Sequence, residues 1–188
     1  MTRIIAGAAK GRRLAVPADV TRPTADRVRE ALFSAVSARM DLDDARALDL
    51  YAGSGALGLE ALSRGAREVL LVESDARAAA VARANAGTLA LPGCTVKNST
   101  VLAALGVSPA EPYDLVLADP PYALEEDAVM RVLEALVDGG WVGEGSLVVL
   151  ERSARGPGTV WPPELECEVV RRYGEARLEI AACYRRRS

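Results

Sequence analysis

The chain has 188 residues, half of them apolar and about a quarter charged, which fits one globular domain with its own core and no membrane-spanning run. The absence of histidine excludes Ser-His-Asp and Cys-His nucleophilic catalysis, and three widely spaced cysteines argue against a CxxC metal site, so we expect a cytoplasmic protein without a metal. The net charge of −3 conceals basic ends, because residues 1–40 carry eight basic and three acidic side chains and residues 171–188 carry six and two.

Residues 1–44 predict a small hairpin followed by a helix. Short apolar pieces at residues 3–6 and 12–16 flank a glycine-containing turn, and helical spacing of apolar residues predicts a helix from the N-cap Thr24 to about Met40. The surplus of positive charge suggests that this part holds nucleic acid, although a solvated surface explains the same counts. The cationic side chains assigned to the nucleic-acid surface are Lys10, Arg12, Arg13, Arg22, Arg27 and Arg29.

From Ala45 onward, predicted strands alternate with predicted helices, which indicates a mainly parallel sheet covered on both faces. Strands are expected near residues 46–51, 69–73, 94–97, 113–118 and 146–151, and helices near 56–65, 75–90, 99–106 and 125–138. Residues 165–173 and 177–184 predict an antiparallel pair at the carboxyl end. We therefore divide the chain into an N-terminal extension, residues 1–44, and a main α/β domain, residues 45–188.

The turn between the first strand and the first helix of the main domain indicates a ligand site. Gly53-Ser54-Gly55-Ala-Leu-Gly58 lets a ligand approach the backbone, and the N–H groups of the following helix attract negative charge. Glu73 ends the next apolar run, twenty residues after Gly53, a spacing at which a carboxylate can bind both ribose hydroxyls. The pattern predicts a nucleotide-like ligand, but a tight strand-to-helix turn without a ligand has the same sequence.

Two further features favour S-adenosylmethionine over a dinucleotide. Asp49 lies inside the first strand, where a dinucleotide fold more often has an apolar residue. Asp119-Pro120-Pro121-Tyr122 follows the apolar run 113–118 and makes a rigid corner at the carboxyl end of a strand. In these four residues the sequence resembles the amino-group methyltransferases, whose signature is Asp, Asn or Ser, then two prolines and an aromatic residue.

Six segments in matched order make the chain resemble the RsmD-type 16S ribosomal RNA guanine-N2 methyltransferases over nearly its whole length. They are residues 3–7, 11–12, 21–24, 26–33, 49–55 and 119–122. The resemblance implies a Rossmann-like class I S-adenosylmethionine-dependent methyltransferase, an α/β fold with a mainly parallel sheet, an antiparallel C-terminal strand pair, and an N-terminal hairpin and helix. It also implies methylation of the exocyclic N2 amine of a guanine in 16S ribosomal RNA, free or within an assembled small subunit, by a monomer whose N-terminal extension faces the RNA.

The same resemblance assigns roles around the cofactor. Glu73 is expected at the ribose of S-adenosylmethionine and Asn98 near the adenine amine, although a helix N-cap explains Asn98 equally well. The methionine end is expected to lie against Asp49 and the turn formed by Gly53, Ser54 and Gly55.

Catalytic roles are assigned to the four-residue motif. The carboxylate of Asp119, which also borders the cofactor, and the carbonyl of Pro120 are expected to accept the two N–H groups of the target amine. Tyr122 is expected to stack on the base, and a base inside a helix would first have to flip out. The acidic run at residues 125–127 fits the first turn of a helix better than a metal site.

Four other classes of protein share part of this pattern. DNA adenine-N6 or cytosine-N4 methyltransferases share the four-residue motif but usually need a separate target-recognition region. Cytosine-C5 methyltransferases need a nucleophilic Cys, typically after Pro, and no cysteine here follows a proline. An RNA-binding module would not explain residues 119–122, and neither would an NAD-dependent oxidoreductase. The choice of guanine-N2 over adenine-N6 rests on the resemblance, since the motif serves both.

Overall fold

The computed structural model describes residues 2–18 and 25–184, so that the expected N-cap Thr24 and the expected RNA contact Arg22 lie outside the described residues. Each strand and helix expected from Ala45 onward is present. The largest difference is the last parallel strand, which begins at Val142 instead of near residue 146 because an irregularity in its pairing lets four more residues join it. The elements in chain order are β1 (Thr2–Arg3), β2 (Arg13–Leu14), α1 (Asp26–Ser37), β3 (Arg46–Leu50), α2 (Ala56–Ser63), β4 (Glu68–Glu73), α3 (Ala76–Leu89), β5 (Cys94–Asn98), α4 (Val101–Leu105), β6 (Tyr113–Ala118), α5 (Glu126–Asp138), β7 (Val142–Ser153), β8 (Leu165–Tyr173) and β9 (Ala176–Cys183).

Seven strands form one sheet in the order β5-β4-β3-β6-β7-β9-β8. The first five of these run parallel, while β9 pairs antiparallel with both β7 and β8. β1 and β2 form a separate antiparallel pair, the predicted hairpin. The strand order reverses between β3 and β6, because successive strands lie on one side of β3 up to β5 and on its other side from β6 onward.

Helices cover both faces of the sheet, and the strands alternate between the two layers. Ala47 and Leu115 belong to the apolar layer that contains residues of α1, α2 and α3. Their chain neighbours Leu48 and Val116 belong to the layer that contains residues of α4 and α5. Successive side chains of a strand point to opposite faces, so the continuous apolar runs in the sequence are those of strands buried on both sides.

The N-terminal segment packs on α2 through buried polar contacts as well as apolar ones. The carboxylate of Glu60, which is 0% exposed, accepts hydrogen bonds from the N–H groups of Ile5 at 2.8 Å and Ala6 at 3.0 Å. The hydroxyl of Ser63 accepts one from the N–H of Ala9 at 2.9 Å. Residues 4–9 are thereby tied to the helix that follows the glycine-rich turn.

Among residues 2–18 and 25–184, no helix is both long enough and apolar enough to cross a membrane.

Candidate active site

Three acidic side chains lie where the order of the strands reverses. Asp49 is in β3, Glu73 ends β4, and Asp119 directly follows β6; β4 and β6 pair with β3 on either side. Because the three strands are parallel, these positions share one edge of the sheet. In open α/β sheets, this edge at a switch point of strand order is where ligands bind.

The turn from β3 to α2 leaves open space in front of its backbone. Gly55 has a φ of 82° and precedes α2; a Cβ on it would come within 2.8 Å of a methyl group of Leu71, so the helix is able to approach β4 only because Gly55 has no side chain. Gly53 has a φ of 56°, and a Cβ on it would meet no atom within 4 Å. Tyr51 also has a positive φ, 61°, a strained conformation of the kind that clusters at ligand sites.

Glu73 holds this turn in place. One of its carboxylate oxygens accepts the N–H of Gly53 at 2.7 Å and the other accepts the N–H of Asp75 at 2.8 Å. A carboxylate has about four acceptor sites, so each oxygen retains capacity for a hydroxyl donor. Glu73 is half-buried and therefore reachable by a ligand at this edge of the sheet. The space bordered by Asp49, Gly53, Glu73 and Asp119 is called the crevice below.

Asn98 lies beside Glu73 and fastens the ends of two neighbouring strands. Its side-chain amide donates to the carbonyls of Glu73 at 2.9 Å and Ser74 at 3.0 Å. It does not cap α4, because that position is occupied by Thr100, whose hydroxyl accepts the N–H of Ala103 at 3.4 Å. The alternative N-cap explanation of Asn98 is therefore wrong, and its exposed side chain lies at the rim of the crevice.

Asp49 is the most deeply buried of the three acids, with 1% of its surface exposed. Its carboxylate accepts the N–H of Gly58, in the first turn of α2, at 2.8 Å. Burial is the main cause of a rise in the pKa of Asp49 from 3.8 to about 8, the Gly58 hydrogen bond opposes that rise, and the negative charges of Asp119 and Glu73 add to it. A positively charged ligand group in the crevice would favour the ionised form of Asp49.

The segment after β6 leads from the edge of the sheet toward solvent. Asp119 is half-buried and Pro120 is buried, whereas the ring of Tyr122 is partly open to solvent, at 37% exposure. The two prolines have no N–H groups to satisfy and fix the backbone of the corner. Because β6 pairs with β3 up to Ala118 and Leu50, this segment leaves the sheet next to the start of the glycine-rich turn.

Two buried side chains that the sequence analysis did not single out hold these loops. Asn85 on α3 is 3% exposed, and its amide donates to the carbonyls of Ser54 and Ala15, both at 2.9 Å. Arg152 on β7 is 5% exposed and donates to the carbonyl of Leu124 at 2.7 Å, just after the Asp119–Tyr122 segment. Both side chains bond to residues more than 25 positions away in the chain. Because no local sequence pattern spans such distances, these hydrogen bonds could not be predicted from the sequence.

The basic residues expected to face RNA differ in their exposure to solvent. Lys10, Arg12, Arg13 and Arg27 are exposed, and Arg12 donates to the carbonyl of Thr88 at 2.8 Å. These four side chains are accessible to a phosphate backbone.

The assignment of Arg29 to the RNA-facing surface is wrong. Its side chain is 0% exposed, and its guanidinium donates to the hydroxyl of Thr2 at 2.7 Å, the carbonyl of Arg3 at 2.6 Å and the carboxylate of Asp26 at 2.7 Å. Burial lowers the pKa of Arg29, and the negative charge of Asp26 opposes that effect. Arg29 fastens β1 to α1 and does not reach a ligand.

Within the described part of the chain, no three His, Cys, Asp or Glu residues are arranged to hold a metal ion. The acidic run that could suggest one lies at the start of α5, with Glu126 and Asp127 in its first turn. Acidic side chains there complement the helix dipole.

The residues around the turn fit an adenosine-type cofactor with a cationic end. Space in front of Gly53 admits a ligand at the backbone, Glu73 retains acceptor sites for hydroxyls, and buried Asp49 gains from a nearby positive charge. S-adenosylmethionine has ribose hydroxyls for Glu73 and a positively charged methionine end for Asp49. A dinucleotide would instead bring the negative charge of its pyrophosphate toward the carboxyl groups of Asp49, Glu73 and Asp119.

Comparison with known proteins places the chain in one group. The family model described as "Conserved hypothetical protein 95" matches residues 2–182. Ribosomal RNA small subunit methyltransferase D of Escherichia coli (strain K12) is 39% identical over 150 residues, covering 79% of this chain and 73% of that protein. The solved structure of yhhF from Escherichia coli superposes with a TM-score of 0.85 at 34% identity and covers 97% of both chains.

A more distant structure shows the fold alone. Magnesium protoporphyrin IX methyltransferase from Synechocystis PCC 6803, solved with bound SAM, has a TM-score of 0.66 at 12% identity and covers 84% of this chain and 79% of that one. The predicted fold, a class I S-adenosylmethionine-dependent methyltransferase with a mainly parallel sheet and an antiparallel strand pair, is confirmed.

Proposed function

The chain belongs to the family described as conserved hypothetical protein 95, that of the RsmD-type methyltransferases, and from this membership and its crevice we propose that it methylates 16S ribosomal RNA of the small subunit, at the exocyclic N2 amine of a guanine. S-adenosylmethionine is the methyl donor of this fold and supplies a methyl group activated by its sulfonium centre. The observation that carries the proposal is the position of Asp119–Tyr122, at the carboxyl end of β6 and beside the glycine-rich turn.

The work left to the protein is to place a poor nucleophile. The lone pair of an exocyclic amine is delocalised into the base, so the amine attacks weakly unless it is held in a more pyramidal geometry. The carboxylate of Asp119 and the carbonyl of Pro120 are the groups to accept its two N–H donors. Because the methyl group is already activated, correct positioning contributes more here than acid–base chemistry.

Tyr122 supplies the contact to the base itself. Its side chain is partly exposed and belongs to the same short corner as Asp119, which makes it the aromatic group available to stack on a base beside that carboxylate. Base–aromatic stacking contributes about 1–3 kcal/mol per base. A base that is paired in the folded RNA has to flip out to reach this place.

Cofactor contacts follow from the same placement. Glu73 binds the ribose hydroxyls, Asn98 lies toward the adenine amine, and Asp49 faces the methionine end. The turn formed by Gly53, Ser54 and Gly55 lines the space between them.

RNA contacts come from the exposed residues of the N-terminal extension, residues 1–44. Lys10, Arg12, Arg13 and Arg27 are available to bind phosphates, which position a substrate, while the crevice selects the base. A monomer suffices for this arrangement, since every proposed contact comes from one chain.

Mass spectrometry of nucleosides from 16S RNA tests the proposal. RNA from cells that lack this protein should be missing one N2-methylguanosine, and the purified protein should restore it in vitro with S-adenosylmethionine. Parallel reactions with naked 16S RNA and with assembled small subunits identify the form of the substrate. Loss of an N6-methyladenosine instead, or an effect on another RNA or on DNA, would support the alternative of a different amino-group methyltransferase.

A further inference from the structure

Arg152 is a buried cation at the end of the strand next to the reacting corner. Its guanidinium donates to the Leu124 carbonyl and to the Glu126 carboxylate, each at 2.7 Å, and to the Pro121 carbonyl at 3.5 Å. Pro121 and Leu124 lie on either side of Tyr122. One side chain therefore holds the backbone both before and after the aromatic residue of the motif.

The loop that Arg152 holds borders a cavity on one side, while Leu124 packs against the apolar layer of α4 and α5. A cavity of about 270 Å³ separates residues 122–126 from the turn at residues 153–157, and Arg152 lies in its wall. Tyr122 and Leu124 border the same cavity. On the side of the cavity, the hydrogen bonds from Arg152 on β7 hold the loop where no apolar packing does.

Arg152 also lies close enough to the end of β3 for its charge to act on Tyr51. Burial raises the pKa of the Tyr51 phenol, and the positive charge of Arg152, close enough to be felt there, opposes that rise. Tyr51 directly follows β3, beside the glycine-rich turn. The charge of Arg152 therefore acts on the end of β3 as well as on the loop that carries Tyr122.

We propose that Arg152 is a positioning residue, which presets residues 121–126 so that the Tyr122 ring is already placed to stack on the target base. The inference rests on the proposed function, because it assigns Arg152 an effect on the base-binding half of that site. A guanidinium suits this role because its planar fork donates in two directions at once, to one carbonyl on each side of Tyr122, whereas an ammonium group serves as a single point of charge.

The test compares Arg152→Gln and Arg152→Lys with the control Arg155→Gln. Arg155 lies three residues after Arg152, is exposed, and pairs with Glu175. Arg152→Gln should lower kcat for 16S RNA about tenfold or more and leave the Kd for S-adenosylmethionine within about twofold, because misplacing the substrate by about 1 Å can lower the rate about a hundredfold. Arg152→Lys should fall between the parent and Arg152→Gln. The control should match the parent in both measurements.

A double-mutant cycle separates positioning from general stability. If Arg152 acts through Tyr122, then adding Arg152→Gln to Tyr122→Ala should lower kcat by less than about twofold beyond the single change. An equal decrease in the presence and absence of the Tyr122 ring would overturn the proposal, and so would an unchanged kcat for Arg152→Gln.

Hydrogen exchange gives a readout that does not depend on the substrate. Amide groups within residues 122–126 should exchange faster in Arg152→Gln and Arg152→Lys than in the parent, while those of β3 and β4 stay unchanged. If the parent fails to methylate 16S RNA, the proposed function fails, but faster exchange confined to this loop still supports the tether. If Arg152→Gln does not fold, the milder Arg152→Lys carries the test, and unchanged exchange in its loop contradicts the inference.

Discussion

At the scale of single residues, the crevice gives its carboxyl groups different surroundings. Asp49 is enclosed by β3 and α2 and has a raised pKa, so it is mostly protonated near neutral pH in the ligand-free protein. Asp119 lies at a half-buried corner with access to the space beside Tyr122. Carboxyl groups that differ in this way take different tasks in an active site, and the proposed function assigns cofactor binding to Asp49 and substrate binding to Asp119.

Replacing Asp119 tests its task directly. Asp119→Ala should abolish methyl transfer and leave the Kd for S-adenosylmethionine within about threefold of the parent, because the carboxylate acts on the incoming amine. Asp119→Asn should retain some activity, since the amide oxygen still accepts one N–H. Single-turnover kinetics and calorimetry measure the two quantities, and parent-like turnover in Asp119→Ala would remove this residue from the reaction.

The raised pKa of Asp49 predicts a dependence of stability on pH. Between about pH 4 and pH 8 the folded protein keeps a proton that the unfolded chain has released, so this group makes folding less favourable as the pH rises through that window. Asp49→Asn keeps the acceptor for the Gly58 N–H but does not ionise. Its Tm should therefore fall less than that of the parent between pH 6 and pH 9, as followed by thermal unfolding without ligand.

The same substitution should weaken cofactor binding, because the cationic end of S-adenosylmethionine no longer has a carboxylate partner. The parent should release protons on binding, detectable by calorimetry in buffers of different ionisation enthalpy, and Asp49→Asn should release fewer. Equal proton release by the two proteins would show that Asp49 is not the group that ionises.

Residue-scale prediction from the sequence placed Glu73 and Asp119 at strand ends, but it missed the burial of Arg29, for which the spacing carried a signal, and the contacts of Arg152, for which it did not. The burial of Arg29 was predictable, since it shares a helical face with Leu32, Phe33 and Val36 at spacings of three, four and seven. Arg152 had no such signal, because its partners come from a loop 26 to 31 positions away. Strand-end positions could be predicted for the acids, while the side chains that fix their loops could not.

At the scale of elements, α2 and α3 connect the N-terminal segment to the glycine-rich turn. α2 begins at that turn and binds residues 5 and 6 through Glu60 near its other end. α3 contacts both parts through one side chain, Asn85, which also accepts the N–H of Ala15 at 2.8 Å. The order of strands and helices followed from apolar periodicity, but these tertiary links join residues 31 to 70 positions apart and are not visible in any window of the sequence.

Asn85 is expected to matter for both stability and cofactor binding. Asn85→Ala removes three hydrogen bonds to part-buried backbone groups of Ala15 and Ser54, which should lower the free energy of unfolding by about 1–3 kcal/mol. It should also raise the Kd for S-adenosylmethionine, because Ser54 belongs to the turn that lines the site. Urea unfolding and calorimetry measure the effects, with Thr88→Ala, an exposed change on the same helix, as the control; equal stability of Asn85→Ala and Thr88→Ala would contradict the expectation.

At the scale of the whole molecule, an acidic body has to hold a polyanion. Positive charge is concentrated in residues 1–40 and 171–188, whereas residues 41–170 carry nine basic and twenty-one acidic side chains. Deleting the N-terminal segment would be a poor test of RNA binding, because Ile4 and Leu14 belong to the apolar layer of α1 to α3 and Glu60 would be deprived of two buried donors. A test of RNA binding therefore has to replace positively charged side chains and keep the backbone of this segment.

Substituting the basic residues at the exposed tip of the hairpin removes positive charge and keeps the backbone. Lys10, Arg12 and Arg13 are exposed, so the triple change to Ser should leave the Kd for S-adenosylmethionine unaltered and the Tm within a few degrees of the parent. RNA affinity should fall, and the slope of log K against log salt should become shallower by about 0.7–0.9 for each phosphate that the variant no longer neutralises. Methyl transfer at saturating RNA should be largely retained, because phosphate contacts position the substrate and the crevice performs the chemistry.

A second triple variant serves as the control, because it removes the same number of positive charges at positions away from the tip. Arg67, Arg131 and Arg155 are exposed within residues 41–170, outside the N-terminal extension, and their replacement by Ser alters the net charge equally. If long-range charge alone governed RNA binding, both variants would bind RNA more weakly to the same extent, whereas direct contact predicts that the tip variant is weakened more and alone changes the salt slope. A tip variant with the affinity and slope of the parent would move the RNA-facing surface to the exposed carboxyl-terminal arginines, Arg171 and Arg172.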